Sequence, residues 1–251
     1  MANIFQLLKS GRCGRKQRPR SIRLPAPQVG PDTVFVKQYG CKRSGTCYVT
    51  ALLQLNFKNV HVLIHKLGGK HAAPIDYQSW TAGPPELQQA IAANQIRAAI
   101  AVKDPYAWLY SYVRAHRTWN PRWRQAYDQD PAPEIRRLCE RWNYCHDAWL
   151  NAPAAFVFPF RHDELLRDFA GTMAQAQQQL ALTPRYSLFG NIRNKMSPND
   201  QLTRRRFDSK FYLDRQYLAQ LGPKLVAVIT DSIDWDLAQR LNYRPESSPV
   251  S

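Results

Sequence analysis

Two kinds of apolar pattern alternate along this chain. Largely apolar runs at Val34–Val36, Asn59–Ile64, Ala98–Val102 and Ala154–Phe158 have the length and content of buried strands. Between them, apolar residues recur at helical spacing: Tyr48, Val49, Leu52, Leu53 and Leu55; then Trp108, Leu109, Tyr112 and Val113; then Leu138, Trp142, Cys145 and Trp149. Punctuation supports the division. Pro85-Glu86 opens a helix through Gln95, and Pro105 opens another, because proline suits the first helical position. Gly68, Gly69, Gly83 and Pro84-Pro85 mark residues 65–85 as a loop. Trp119–Pro133 reads as an aromatic, proline-containing loop and Thr183–Arg206 as a basic, polar one. A helix begins near Asp163, and Asp208–Tyr243 reads as two or three short helices. Strands alternating with helices predict an α/β fold: three layers, α/β/α, with a central parallel sheet and a helical C-terminal part.

Composition narrows the class. A chain of 251 residues has room for one large domain with a full core. We expect that domain over residues 31–251, after a basic arm spanning residues 1–30 that contains RCGRKQRPRSIR and reads as a solvated tail. Hydrophobic content of 44% with 22% charged residues excludes global disorder. A net charge of +16 calls for an anionic partner, which a nucleic acid, a phosphorylated cofactor, an acidic glycan or a membrane surface would satisfy. Five cysteines without a CxxC pair argue against a disulfide framework or zinc site and for a reducing compartment. The apolar Ile4–Leu8 precedes its charges, the wrong order for a secretory signal, and no run of 18 apolar residues predicts a membrane span. The expected location is cytoplasmic.

The densest chemistry lies at Thr33–Asn56. A strand, the loop Cys41-Lys42-Arg43-Ser44-Gly45-Thr46 behind Gly40, and a helix converge so that free backbone N–H groups and a helix N-terminus meet at one point. Gly40 and Gly45 have the spacing of a triphosphate-binding P-loop, but Thr46 and Cys47 follow where that motif needs Lys and Ser/Thr. A magnesium-dependent kinase is thereby disfavoured. A phosphate or sulfate held by backbone N–H groups, the Ser44 and Thr46 hydroxyls and a cation still fits. Ser44 and Thr46 as mere helix caps are compatible with this, yet capping leaves Lys42 and Arg43 unexplained.

Arg43-Ser44-Gly45-Thr46-Cys47-Tyr48 resembles the 5′-phosphosulfate-binding loop of the sulfotransferase family, with Cys47 in place of a second threonine. Lys103-Asp104-Pro105 followed by Ser111 resembles the same family's 3′-phosphate site, a basic residue at the end of the third strand and a serine eight positions on. Phe160-Arg161-His162-Asp163-Glu164-Leu165-Leu166 is similar to its Arg-Tyr-Glu-Asp-Leu segment, with His162 for tyrosine. Ile233–Leu237 with Leu241–Tyr243 resembles the C-terminal helices of bacterial members.

That resemblance, over about residues 33–243, implies transfer of a sulfuryl group from 3′-phosphoadenosine 5′-phosphosulfate to a hydroxyl or amine of a small-molecule or glycan acceptor, without a metal. It implies that Lys42, Arg43, Ser44, Gly45, Thr46 and Cys47 hold the phosphosulfate, and that Lys103 and Ser111 hold the 3′-phosphate. A later basic segment, Arg193-Asn194-Lys195 or Arg204-Arg205-Arg206, would close over the nucleotide; Arg193 and Lys195 are the expected contacts. Trp80 and Phe207 are candidates for stacking on adenine. The base is sought after the second strand, where His71 with Lys70 beside it is expected and His65 competes. Trp119, Trp123 and Tyr127 suit a sugar or aromatic acceptor as well as they suit packing. Nucleic acid is not expected as a partner.

Overall fold

The structure, a computed structural model, describes residues 30–63, 67–72, 85–151, 156–196 and 202–246. The expected arm up to residue 29, His65 and Trp80 lie outside them. In chain order the elements are β1 (Val34–Gly40), α1 (Thr46–Asn56), β2 (Val60–Leu63), α2 (Pro85–Ala92), β3 (Ile96–Val102), α3 (Pro105–Trp119), α4 (Pro121–Gln129), α5 (Pro131–Leu150) and β4 (Val157–Arg161). They continue with α6 (His162–Arg167), α7 (Phe169–Gln179), β5 (Asn194–Met196), β6 (Leu202–Arg206), α8 (Ser209–Leu213), α9 (Tyr217–Leu221), α10 (Pro223–Ser232) and α11 (Trp235–Gln239).

β1 to β4 form an all-parallel sheet in the order β2-β1-β3-β4. Alternate residues of each strand feed opposite faces, as the pleat requires. Val34, Val36, Val60, Val62, Ala99, Ala101, Phe158 and Phe160 pack against α1, α6 and α7. Phe35, Tyr39, Ile96, Ala98, Ile100 and Val102 pack against α2, α3, α5 and the C-terminal helices. The fold is therefore the expected three-layer α/β/α arrangement. Because β1 leads to β2 on one side while β3 lies on its other side, the strand order reverses between β1 and β3. Ligands of open parallel sheets bind in the crevice beyond the strands' carboxyl ends at such a reversal.

Four local expectations are corrected. β1 continues through Lys37 and Gln38 to Gly40, because a central strand needs its backbone bonds whatever its side chains. Lys37 reaches out of the core to donate to the Gly68 carbonyl at 2.7 Å. Residues 119–133 are not a loop. Asn120 caps α4 by accepting from Trp123 N, Pro121 starts it, and Asp130 with Pro131 repeats the device for α5. The prolines there start helices rather than breaking them. The segment 183–206 contains the antiparallel pair β5–β6, and the C-terminus forms four short helices.

Candidate functional site

The loop after β1 owes its shape to close approach. A Cβ on Gly40 would lie 2.7 Å from Ser44 Oγ, 2.7 Å from Thr46 Cγ2 and 2.8 Å from the Ala101 carbonyl of β3. Gly45 has φ 102°, a left-handed conformation that favours glycine, and caps α1 without any side-chain bond. The first-turn N–H groups of α1 therefore end in the crevice without capping oxygens. Ser44 shapes the loop: both its N–H (3.0 Å) and its hydroxyl (2.8 Å) donate to the Cys41 carbonyl. Trp108 ties the loop to α3 by donating its Nε1–H to the Lys42 carbonyl at 2.6 Å. With those anchors, the Lys42 and Arg43 side chains remain exposed, and Arg43 (φ 74°) projects its guanidinium over the Trp119 ring at 5.4 Å.

Register then fixes the neighbouring group. Gly40 pairs with Ala101, so Lys103, two residues on, emerges beside the loop. Lys103 is buried, donates to Ser111 Oγ at 3.0 Å, and holds its ammonium 4.1 Å from the Tyr212 ring centroid. Ser111 donates in turn to the Ala107 carbonyl at 2.8 Å, and its oxygen lies 3.1 Å from the Tyr212 hydroxyl. Among the described residues no carboxylate forms an ion pair with Lys103. Burial, reinforced by Arg43, brings its pKa down to about 7, against a weaker upward pull from Asp104. Asp104 caps α3 through Ala107 N at 3.0 Å and is itself pushed up to about 6 by burial. A buried ammonium without an ion-pair partner is expensive.

His162 and Tyr212 are functional candidates that the sequence reading assigned no role. His162 opens α6 at the end of β4, is buried, and approaches the place where a Gly45 Cβ would sit to 3.8 Å. Burial first and Lys103 second hold its imidazole neutral, well below the usual histidine range. Its ring meets Tyr212 and Phe207 edge-on, and Phe207 lies parallel to Tyr212 at 5.3 Å. His162 thus stands between the glycine-bounded loop and Lys103. A histidine at a strand's carboxyl end was a usable signal. Nothing local could announce Tyr212, 101 residues from Ser111.

Phe207 joins this aromatic cluster beside Lys103, and its N–H donates to the Arg193 carbonyl at 2.9 Å. Arg193 is exposed at the start of the β5–β6 pair; Lys195 lies in β5 and Arg204–Arg206 in β6, with Arg206 exposed. The preceding residues fold back on α1, where Tyr48 donates to Asn191 Oδ1 at 2.7 Å.

On the other flank, the segment after β2 lies along the end of β1. Gly40 N donates to the Lys70 carbonyl at 3.0 Å, and His71 Nδ1 is 2.6 Å from the Gly40 carbonyl. A carbonyl only accepts, so Nδ1 carries the proton and Nε2 keeps its lone pair. His71 is half-buried. Burial lowers its pKa most, the Gly40 bond opposes this, and Lys70, Lys42 and Arg141 lower it further. Lys70 donates to Cys47 Sγ at 3.4 Å, so the cysteine's sulfur receives the lysine beside the candidate base.

Of the acceptor-side aromatics, Trp123 and Tyr127 are packing residues: both are buried, stacked at 4.9 Å, and Trp123 Nε1 donates to Glu134 at 2.8 Å. Trp119 is 53% exposed and available.

No helix among the described residues is long and apolar enough to cross a membrane. No family model matches the chain, and no curated protein matches it.

Proposed function

We propose that this chain is a sulfotransferase that moves a sulfuryl group from 3′-phosphoadenosine 5′-phosphosulfate to an acceptor hydroxyl or amine. One observation carries the reading: the buried, uncompensated Lys103 on Ser111 shares a crevice with the glycine-bounded loop that carries Lys42 and Arg43. Two anion sites at the β1/β3 reversal fit a nucleotide with anionic groups at both ends. Lys103 and Ser111, beside Tyr212, would take the 3′-phosphate. Lys42, Arg43, the Thr46 hydroxyl and the α1 N-terminus would take the phosphosulfate. Arg193 and Phe207, joined by the Phe207 N–H to Arg193 carbonyl bond, would meet the nucleotide from the β5–β6 side.

The donor supplies an activated sulfur–oxygen bond. In the reaction the acceptor oxygen forms a bond to sulfur while the bond between sulfur and the bridging phosphate oxygen breaks. That oxygen keeps the electron pair, and Lys42 and Arg43 stabilise its charge. His71 takes the acceptor's proton on Nε2, the nitrogen left unprotonated by the Gly40 bond. Positioning and charge neutralisation are the main demands of such a transfer, as in phosphoryl transfer.

The test is thermal unfolding of the full chain with 3′-phosphoadenosine 5′-phosphate, followed by transfer of radiolabelled sulfate from the donor. Ligand stabilisation that Lys103→Ala or Ser111→Ala removes supports the proposal. Stabilisation by ATP with magnesium alone would overturn it in favour of a nucleotide kinase.

A further inference from the structure

The flank that holds His71 carries more positive charge than the phosphosulfate loop accounts for. Lys42, Arg43, Lys70 and Arg141 have no ion-pair partner among the described residues. Arg141 belongs to α5, far from the loop in sequence, yet its Nη2 donates to the His71 carbonyl at 3.2 Å. Arg137 lies one turn earlier on the same helix face, and Tyr144, 60% exposed, continues that face beyond Arg141. The nearby carboxylate, Glu134, is already shared between Trp123 Nε1 at 2.8 Å and Arg137 Nη2 at 2.7 Å. Across the loop stands Trp119 with Arg43 over its ring. The result is a strip of cations with exposed aromatic rings at its margins, leading to the nitrogen of His71 that is free to accept a proton.

We propose that this strip binds an anionic saccharide, a glycan bearing carboxylates or sulfates, and presents one of its hydroxyls to His71. The proposal rests on the sulfuryl-transfer reading for what becomes of that hydroxyl, but the binding site does not. Successive arginines one turn apart on α5 are spaced about 6 Å along the axis, which suits a repeating anion better than a single one. Guanidinium forks pair with carboxylate or sulfate oxygens two at a time. Exposed tryptophan and tyrosine rings offer an apolar face to a sugar ring while their polar edges stay wet. A neutral phenol would offer no counter-charge to Arg141, which has no ion-pair partner among the described residues.

The experiment is calorimetric titration of the full chain, saturated with 3′-phosphoadenosine 5′-phosphate, with an unsulfated glucuronate-containing polysaccharide and with its carboxyl-reduced form. The carboxylated polymer should bind at least about tenfold more tightly than the reduced one. Arg137→Gln/Arg141→Gln should remove most of that preference. Lys58→Gln/Lys224→Gln, an equal charge change at exposed positions outside the strip, should weaken binding less than about threefold. Equal binding of the two polymers by the wild-type chain overturns the proposal without any variant. So does an equal loss in the control variant, or full competition by single-stranded RNA at matched charge, since each would reduce the effect to bulk polyanion attraction. Nucleotide stabilisation with no polysaccharide binding sinks this inference alone. Polysaccharide binding without nucleotide stabilisation sinks the sulfuryl-transfer reading and leaves the saccharide site standing.

Discussion

Lys103→Met should make the protein more stable and, at the same time, blind to its nucleotide. The methionine keeps the length and apolar stem of the lysine but removes the buried charge. Bringing the ammonium from 10.5 down to about 7 corresponds to roughly 4–5 kcal/mol, at about 1.36 kcal/mol for each tenfold change in acidity. The variant also loses the bond to Ser111 Oγ and the contact with the Tyr212 ring, each on the order of 1 kcal/mol. Ser111 keeps its bond to the Ala107 carbonyl. The net expectation is a gain of ~2–3 kcal/mol at pH 7, or roughly 5–10 °C in melting temperature for a domain of this size.

The pH dependence tests the cause. Lys103 has a folded-state pKa below its unfolded one, so its penalty is fully present below about 7. Between there and 10.5 the unfolded chain binds more protons, and wild-type stability gains with pH. Lys37, lowered to about 8 by burial, contributes in the same direction in both proteins and cancels in the comparison. Urea unfolding of both proteins at pH 7 and pH 9.5 should therefore show the variant's advantage shrinking as pH rises. A Lys103→Met protein less stable than wild type at pH 7, or an advantage that does not shrink, would refute the reasoning. In the second arm, ligand at about 100 times its dissociation constant should add ~2.7 kcal/mol to the wild type and almost nothing to the variant.

Three further outcomes are expected. Gly40→Ala forces a Cβ against the Ala101 backbone carbonyl at 2.8 Å, so chemical denaturation should show a loss of about 1–3 kcal/mol, together with weaker nucleotide binding. The His71 imidazole sits below 6.5, so turnover should rise with pH below that value and level off by neutrality. His71→Gln should lower kcat about 10²–10⁴-fold with nucleotide affinity kept, and full activity would move the base elsewhere. Tyr212→Phe keeps the ring under Lys103 but deletes the hydroxyl near Ser111, so fluorescence titration should show a small loss of nucleotide affinity, whereas Tyr212→Ala should cost about tenfold or more.

Wherever the deciding interactions were local, the residues announced themselves. Apolar runs and helical patterns located β1 to β3 and α1, α3 and α5, and placed β4 three residues too early, because an apolar run must be buried whatever surrounds it. Gly40 and Gly45 marked the loop, since close packing and a left-handed φ leave little alternative to glycine. The sequence predicts a loop where α4 forms because prolines at 121, 131 and 133 all read as breakers; only the caps at Asn120 and Asp130 show two of them starting helices. The β5–β6 pair does not show in the sequence because neither short, basic strand carries a pattern of its own.

The sequence by itself determined the layered α/β arrangement and the glycine-bounded loop, through chain-local chemistry: periodicity and turn requirements. Lys103 with Ser111, and His71 in competition with His65, were singled out only by the family resemblance. Only the tertiary structure decided that the order β2-β1-β3-β4 puts the loop and Lys103 in one crevice. It alone buried Lys103 with no ion-pair partner among the described residues, set Tyr212 beneath it, placed His162 between the glycine loop and Lys103, and swung Arg141 onto His71. Those facts depend on which distant surfaces meet, and desolvation of a charge is a property of the surfaces around it, not of the residue that carries it.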